Sequence, residues 1–333
     1  MMVLLMARIW QYCRSRSKKQ DIVIKTVTQS SPHLVDVALA ENNANLAQRR
    51  AQDLFDEAEQ DASFSVQEDL DHLEHKLRSA IARRELTVHF QPYFCVNSNK
   101  IAGYEALARW PQRDGSFIPP SIFIDVAEKT GQINELSALL FEIACKEARE
   151  WPSHLTLSFN ISALQLHTED FANDILTFVK QWDLPPERLE LELTESKLVI
   201  EGKRACKALA DLRDAGVRIA LDDLGTGYSS FLRLSKMPVD KLKIDRHFIA
   251  ECQEDHRVKK IVEAMISLGK GLGATIVAEG VETEEQLYIV QHMGCDIAQG
   301  FLLGTPRDAQ HVNHDISYEA SVVVPLSTRL RAG

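Results

Sequence analysis

Two aspartates, Asp222 and Asp223, stand side by side at the end of the apolar run "RIALDDLGTG". Adjacent residues of a strand point to opposite faces. Both carboxylates can therefore serve one site only where the strand breaks, and Gly225 and Gly227 permit such a turn. Polar side chains of comparable chemistry stand near the ends of other apolar runs: Gln91, Glu105 with Arg109, Asn160, Glu192 with Glu195, Lys243 with Asp245, Glu279 with Glu282, and Gln299. Taken singly, each is ordinary: a solvated carboxylate, a helix cap, a turn residue. Their recurrence at nearly every run calls for a common site. So many carboxylates on one rim would repel one another and take up protons, and divalent cations remove that conflict. The expected donors, Glu105, Asn160, Glu192, Asp222 and Asp223, are all oxygen ligands, with no histidine or cysteine among them. Oxygen donors select hard ions, which predicts Mg²⁺ or Mn²⁺ rather than zinc. One carboxylate bridging two ions about 3.5–4 Å apart, with its neighbour on the second, would suit phosphodiester cleavage.

The elements that must carry these residues are short apolar runs alternating with amphipathic stretches from Leu86 onward: "LTVHFQPYF", "IAGYEAL", "LTLSFNI", "RLELELT", "VRIALDD", "VDKLKID", "ATIVAEG" and "CDIAQG". Between Val258 and Leu268, apolar residues at 258, 261, 262, 265 and 268 mark one helical face. Leu70, Leu73, Leu77 and Ile81 fall at helical spacing before the first run. Gly216, Gly273 and Gly294 each close a helical stretch just before a strand, as a glycine C-cap does. Alternating strands and helices predict βα units, and eight of them over roughly 230 residues is the size of a (β/α)8 barrel, whose chemistry sits on the C-terminal face. Only "CVNSNK" separates the first two runs, too short for a parallel crossover. The first strand is therefore predicted to run antiparallel to the second. The fold class is α/β: a modified TIM barrel behind a short helical or poorly ordered N-terminal segment.

The chain has 333 residues and a formal net charge of -10, which argues against non-specific binding of DNA or RNA. Its 45% hydrophobic and 26% charged residues are usual for a globular protein. Six scattered cysteines without a CxxC fit a reduced, cytoplasmic setting. No apolar stretch reaches the roughly 20 residues that a membrane span needs. The start, "MMVLLMARIWQYCRSRSKK", is apolar and then basic. A frayed terminus is the preferred reading for residues 1–19, and contact with an anionic membrane surface the less favoured one.

"YEALARW", together with "FQP", "FNIS", "ELTES", "LDDLGTGYSS", "KLKID", "AEGVE" and "QGFLLGTP", closely resembles the EAL-domain family of cyclic di-GMP phosphodiesterases over roughly residues 70–308. The resemblance implies a TIM barrel with one antiparallel strand, and hydrolysis of cyclic di-GMP to linear pGpG in bacterial signalling. It implies that Glu105, Asn160, Glu192 and Asp222 hold one metal, and that Asp222 bridges to a second ion held also by Asp223. Glu279 would be either a second-metal ligand or the general base. Lys243 would orient the attacking water and offset charge on the phosphate. Gln91, Leu107, Arg109, Asp245 and Gln299 would contact substrate. Glu195 and Glu282 would support the "DDLGTG" loop, which in this family links the site to a homodimer interface. Leu224, Leu164 and Phe301 replace the family's usual Phe, Arg and Tyr; none of these removes a metal ligand or Lys243, so an active enzyme is expected. Residues 1–69 lack a GG(D/E)EF signature, although "LVDVALAENNANL" is similar to the last helix of the cyclase domain that often precedes EAL domains. A vestigial element, a signalling helix and disorder all stay open for that segment.

The expected organisation is an N-terminal segment at 1–69, a barrel at 70–310 and a C-terminal tail at 311–333. Two other functions fit parts of the pattern: a non-hydrolysing cyclic di-GMP receptor or protein-interaction module, and another metal hydrolase on the same barrel. A charged Lys243 and an ionised base predict activity that rises on the acidic side and holds under mildly alkaline conditions.

Overall fold

The structure is a computed structural model that describes residues 70–168, 170–194, 203–225, 234 and 237–321. The predicted N-terminal segment up to residue 69, Glu195 and Gly227 lie outside the described residues. The described chain opens in a helix, α1, through residue 82, and the helical spacing around Leu77 holds: that side chain is fully buried.

Among the described residues nine strands follow: β1 (Thr87–Cys95), β2 (Lys100–Pro111), β3 (Phe117–Ile118), β4 (Thr156–Asn160), β5 (Leu189–Thr194), β6 (Arg218–Leu224), β7 (Lys241–Ile244), β8 (Thr275–Ala278) and β9 (Ile297–Gln299). All but β3 form a closed ring in the order β1-β9-β8-β7-β6-β5-β4-β2, sealed by β1 against β2. β1 is antiparallel to both its neighbours, and the remaining ring pairs are parallel. The short joint dictated this, and Asn99, at φ 55°, makes the tight reversal between β1 and β2. β3 is a small antiparallel addition to the end of β2 that the sequence pattern did not announce.

The helices are α2 (Pro120–Thr130), α3 (Ile133–Ala148), α4 (Phe171–Gln181), α5 (Lys203–Asp214), α6 (Arg246–Glu251), α7 (His256–Gly271), α8 (Glu284–Met293) and α9 (Ala309–Ser321). Their limits follow local chemistry. Thr283 and Gln286 form a reciprocal capping box at the start of α8, and Gly294 in the left-handed region ends it. On α7 the buried residues are Val262, Ile266 and Gly269, whereas Ile261 is 45% exposed. Val258, Met265 and Leu268 pack partly buried against the same core, so the predicted face holds apart from Ile261, and Gly269 sits where a Cβ would meet Ile276 and Leu242. α9 spans the expected tail boundary and buries Val312.

The strands carry two different cores. Outward side chains such as Leu189, Leu191, Leu193 and Phe159 are buried under the helices, with ring contacts Phe141–Phe159 and Tyr104–Trp151. Inward side chains are largely polar. "LELELT" would normally read as a strand with one wet face, yet Glu190 and Glu192 are only 1% and 2% exposed, because the polar face lines the barrel interior. Among the described residues, no helix is long and apolar enough to cross a membrane.

Candidate active site

The strands bring most of the predicted residues to one end of the ring. Lys243, on β7, stands in the middle. Its Nζ lies 2.6 Å from Glu279 Oε1, 2.7 Å from Glu192 Oε2, 3.3 Å from Asp222 Oδ1 and 3.7 Å from Glu105 Oε2. Asn160 Nδ2 donates to Glu105 Oε1 (2.8 Å), and Gln299 Nε2 donates to Glu105 Oε2 (2.8 Å) and Gln91 Oε1 (3.3 Å). Gln91 in turn donates to the carbonyl of Gly304, which ties the segment after β9 to the site. Register explains the convergence: Gln91 pairs with Glu105 across β1 and β2, and Asn160 with Glu192 across β4 and β5.

The two adjacent aspartates reach the same site by a route that the sequence did not show. β6 does end just before Gly225, which takes a left-handed φ of 99°. β6 continues through both aspartates to Leu224, its register with β7 shifts between Leu221 and Leu224, and Asp223 takes a left-handed φ of 56°. This bulge turns Asp223 to the side of Asp222, and Asp222 Oδ1 accepts the Asp223 N–H at 2.9 Å. Oxygens of Asp222, Asp223 and Glu279 lie within 4.8 Å of one another.

One ammonium among five carboxylates leaves negative charge uncompensated. Burial pushes Glu192 well above the usual carboxylate range, and repulsion from Glu105 adds to it against the pull of Lys243. Burial likewise raises Asp223, assisted by Asp222 and Asp245. Glu279 is pushed up to about 8, by burial first, with Lys243 opposing and Asp222 and Glu105 adding. Burial alone would depress Lys243, but the carboxylates around it hold it well above the usual lysine range. A cluster of oxygen donors that is short of positive charge fits a hard divalent cation.

Other predicted residues have different surroundings. Arg109 is half-buried on β2, donates to the Ala108 carbonyl and is lowered by burial against the pull of Glu105. Leu107 is half-buried opposite His89. Asp245 caps α6 through the His247 N–H and holds the His247 ring at 2.6 Å. Glu282 is exposed at the entry to α8, where its backbone N–H donates to Gln286.

A family model described as the EAL domain matches residues 74–306. The chain belongs to the EAL-domain family. Its family signature, Glu105-Ala106-Leu107, lies on β2 with Glu105 at the centre of the network. The chain is 38% identical over 258 residues to a Pseudomonas aeruginosa protein named "Bifunctional diguanylate cyclase/cyclic di-GMP phosphodiesterase MucR", covering 76% of this chain and 38% of that one. It is 40% identical over 233 residues to the uncharacterized protein y4lL of Sinorhizobium fredii, covering 70% of this chain and 28% of that one. The chain thus spans well under half the length of these curated relatives. Among solved structures, "PaMucR Phosphodiesterase, c-di-GMP complex" matches with a TM-score of 0.69 at 38% identity, over 72% of this chain and 99% of that one.

Sequence reasoning missed the layer beneath the site: Tyr93, Ser158, Glu190 and Lys241, all buried. A signal existed. Each lies two residues from a predicted site residue on its own strand (Gln91, Asn160, Glu192 and Lys243), and strand side chains of equal parity share a face.

Proposed function

We propose that this chain hydrolyses cyclic di-GMP to linear pGpG with the help of two divalent cations, Mg²⁺ or Mn²⁺. The observation that carries the reading is the Lys243 ammonium held among Glu192, Glu279, Asp222 and Glu105 beside the Asp222–Asp223–Glu279 oxygen cluster. The relative whose printed name includes cyclic di-GMP phosphodiesterase, and the solved complex with that nucleotide, support the substrate.

In this reading Glu105, Asn160, Glu192 and Asp222 would hold one ion, and Asp222 and Asp223 would hold the other. Glu279 clusters with the aspartates, which favours a ligand role over that of general base. When bound, the cations activate a water and offset charge on the phosphate. Lys243 orients that water and stabilises the negative charge that grows on the phosphate oxygens. The water gives up one proton as its oxygen bonds to phosphorus, one P–O ester bond breaks, and the leaving ribose oxygen takes up a proton to depart as a hydroxyl. Gln91, Gln299, Leu107, Arg109 and Asp245 line the approach for the nucleotide. The same reading takes the protein as a homodimer formed near the Asp222–Gly227 loop.

The test is chromatographic. Protein incubated with cyclic di-GMP and Mn²⁺ should yield pGpG, an EDTA control should not, and Lys243→Met should lower kcat by about 100–1,000-fold. Unchanged substrate with either metal would overturn the proposal.

A further inference from the structure

Beneath the carboxylate cluster lies a second buried ion pair, for which the proposed reaction has no direct use. Lys241 Nζ is 2.7 Å from Glu190 Oε1 and 2.6 Å from Oε2, with the two side chains 6% and 1% exposed. Ser158 Oγ donates to Glu190 Oε1 at 2.5 Å. The Tyr93 ring faces Lys241 Nζ at 4.6 Å, and its hydroxyl meets Thr156 Oγ1. Gly103, opposite Tyr93, has no room for a Cβ against that hydroxyl and the Thr156 carbonyl. This layer is dense and closed.

The two ion pairs are rungs between the same strands. Glu190 and Glu192 project from β5, Lys241 and Lys243 from β7, and β6 lies between them. Ala220 of β6 is in register with both Glu192 and Lys241, and its small side chain leaves the gap that the rungs cross.

A buried ion pair is seldom more stabilising than apolar side chains of the same volume, and barrel interiors are commonly filled by branched apolar residues. Stability alone therefore gives little reason for charge in this layer. The neighbouring rung gives one. Lysine carries a compact charge on a flexible stem. A Glu190 carboxylate without its own cation would compete with Glu192 and Glu279 for the Lys243 ammonium one layer above. A Lys241 without its carboxylate would likewise reach for Glu192.

We propose that Glu190 and Lys241 are positioning residues whose mutual pairing keeps the Lys243 ammonium in the upper layer, among Glu192, Glu279, Asp222 and Glu105. The proposal rests on the reading of Lys243 as a group that acts on the substrate, and it predicts the order of three variants. Lys241→Met leaves Glu190 to draw Lys243 down, so kcat for cyclic di-GMP falls about 100-fold, as expected for a misplaced catalytic group. KM stays within about threefold of the parent value, because the floor does not touch substrate. Glu190→Gln falls similarly through the freed Lys241. The double variant Glu190→Gln/Lys241→Met has no unpaired charge in the floor and recovers to within about tenfold of the parent, a coupling opposite in sign to additive damage.

The experiment measures kcat, KM and melting midpoint for the three variants, together with Mn²⁺ affinity in the absence of nucleotide. Lys243 drawn away from Glu192 and Glu279 competes less with cations there. Lys241→Met should therefore bind Mn²⁺ more tightly than the parent, and the double variant should return toward it. If Lys241→Met does not fold, Glu190→Gln against the double variant makes the comparison in kcat, with Mn²⁺ bound more weakly by Glu190→Gln than by the parent because the freed Lys241 competes for Glu192. A double variant no better than the folded single, or a single with parental kcat and Mn²⁺ affinity, overturns the proposal. A parent protein that leaves cyclic di-GMP intact overturns only the functional reading, since the order of Mn²⁺ affinities still tests the positioning role.

Discussion

The Lys243 ammonium lies 2.6 Å from Glu279 Oε1, yet this contact does not hold Glu279 in the ordinary carboxylate range. Burial outweighs it, and Asp222 and Glu105 add repulsion, so the carboxyl is pushed up to about 8. The same ammonium is shared with Glu192 at 2.7 Å. With one cation divided among several acids, Glu279 and Glu192 are both easier to protonate, and this links the geometry of the site to the pH dependence of the fold.

A group whose folded-state pKa is raised binds its proton more tightly when folded. For Glu279, stability is greatest below the ordinary value of 4.5 and is lost as pH rises toward about 8. Glu192 and Asp223, also raised, act in the same direction. Lys243 is raised too, but its contribution is lost only above the usual lysine range. With EDTA present, the melting midpoint should therefore fall between about pH 5 and pH 8. Mn²⁺ should raise the midpoint more at the higher pH, and its binding near neutral pH should release protons, which calorimetry in buffers of different ionisation enthalpy measures. A midpoint that is flat across this window with EDTA would contradict the assignment.

The barrel was legible because each signal was local. The six-residue "CVNSNK" joint forced the antiparallel start, and Gly216, Gly273 and Gly294 marked three helix ends with positive φ. The residues that the ring brings together around Lys243 were legible as polar side chains at strand ends. The route by which Asp223 joins Asp222 was not, because a bulge is a mismatch between two strands, and β6 alone carries no trace of its register with β7. On α7 the one misplaced residue is Ile261, which fits helical spacing as well as Val262 does but is 45% exposed, while Val258, Met265 and Leu268 pack against the core with Val262. Glu190 and Lys241 look like solvated strand residues until the ring closes around them.

The bulge at Asp223 makes a separable prediction. Asparagine tolerates left-handed φ, and a β-branched residue does not. Asp223→Asn should therefore keep the metal-free melting midpoint at or above the parent value, since it removes an acid whose ionisation burial opposes. Its cyclic di-GMP hydrolysis should nevertheless fall by about 100-fold or more. Asp223→Val should lose activity and also about 1–3 kcal/mol of stability. Equal midpoints for the two variants would show that the left-handed backbone is not what the position requires, and full activity in Asp223→Asn would remove it from the metal site.

Arg188 provides a test at the opposite end of the barrel. It precedes β5, on the side where the strand enters, and is 8% exposed. Nε donates to the Leu155 carbonyl at 2.9 Å and Nη2 to the Ala148 carbonyl at 2.7 Å. One guanidinium thus ties the end of α3 and the approach to β4 to the start of β5. Burial lowers its pKa below the usual arginine range, but an arginine stays charged at any working pH. Arg188→Met keeps much of the apolar stem and leaves two buried carbonyls without these donors. It should cost about 2–3 kcal/mol, as charged hydrogen bonds do, or roughly 5–10 °C in melting midpoint. Glu192 and the rest of the cluster stand at the far end of the strands, so kcat and KM measured well below the midpoint should match the parent. A fall in kcat without a fall in midpoint would mean that this end of the barrel reaches the chemistry, and that the two ends are less independent than their separation along β5 implies.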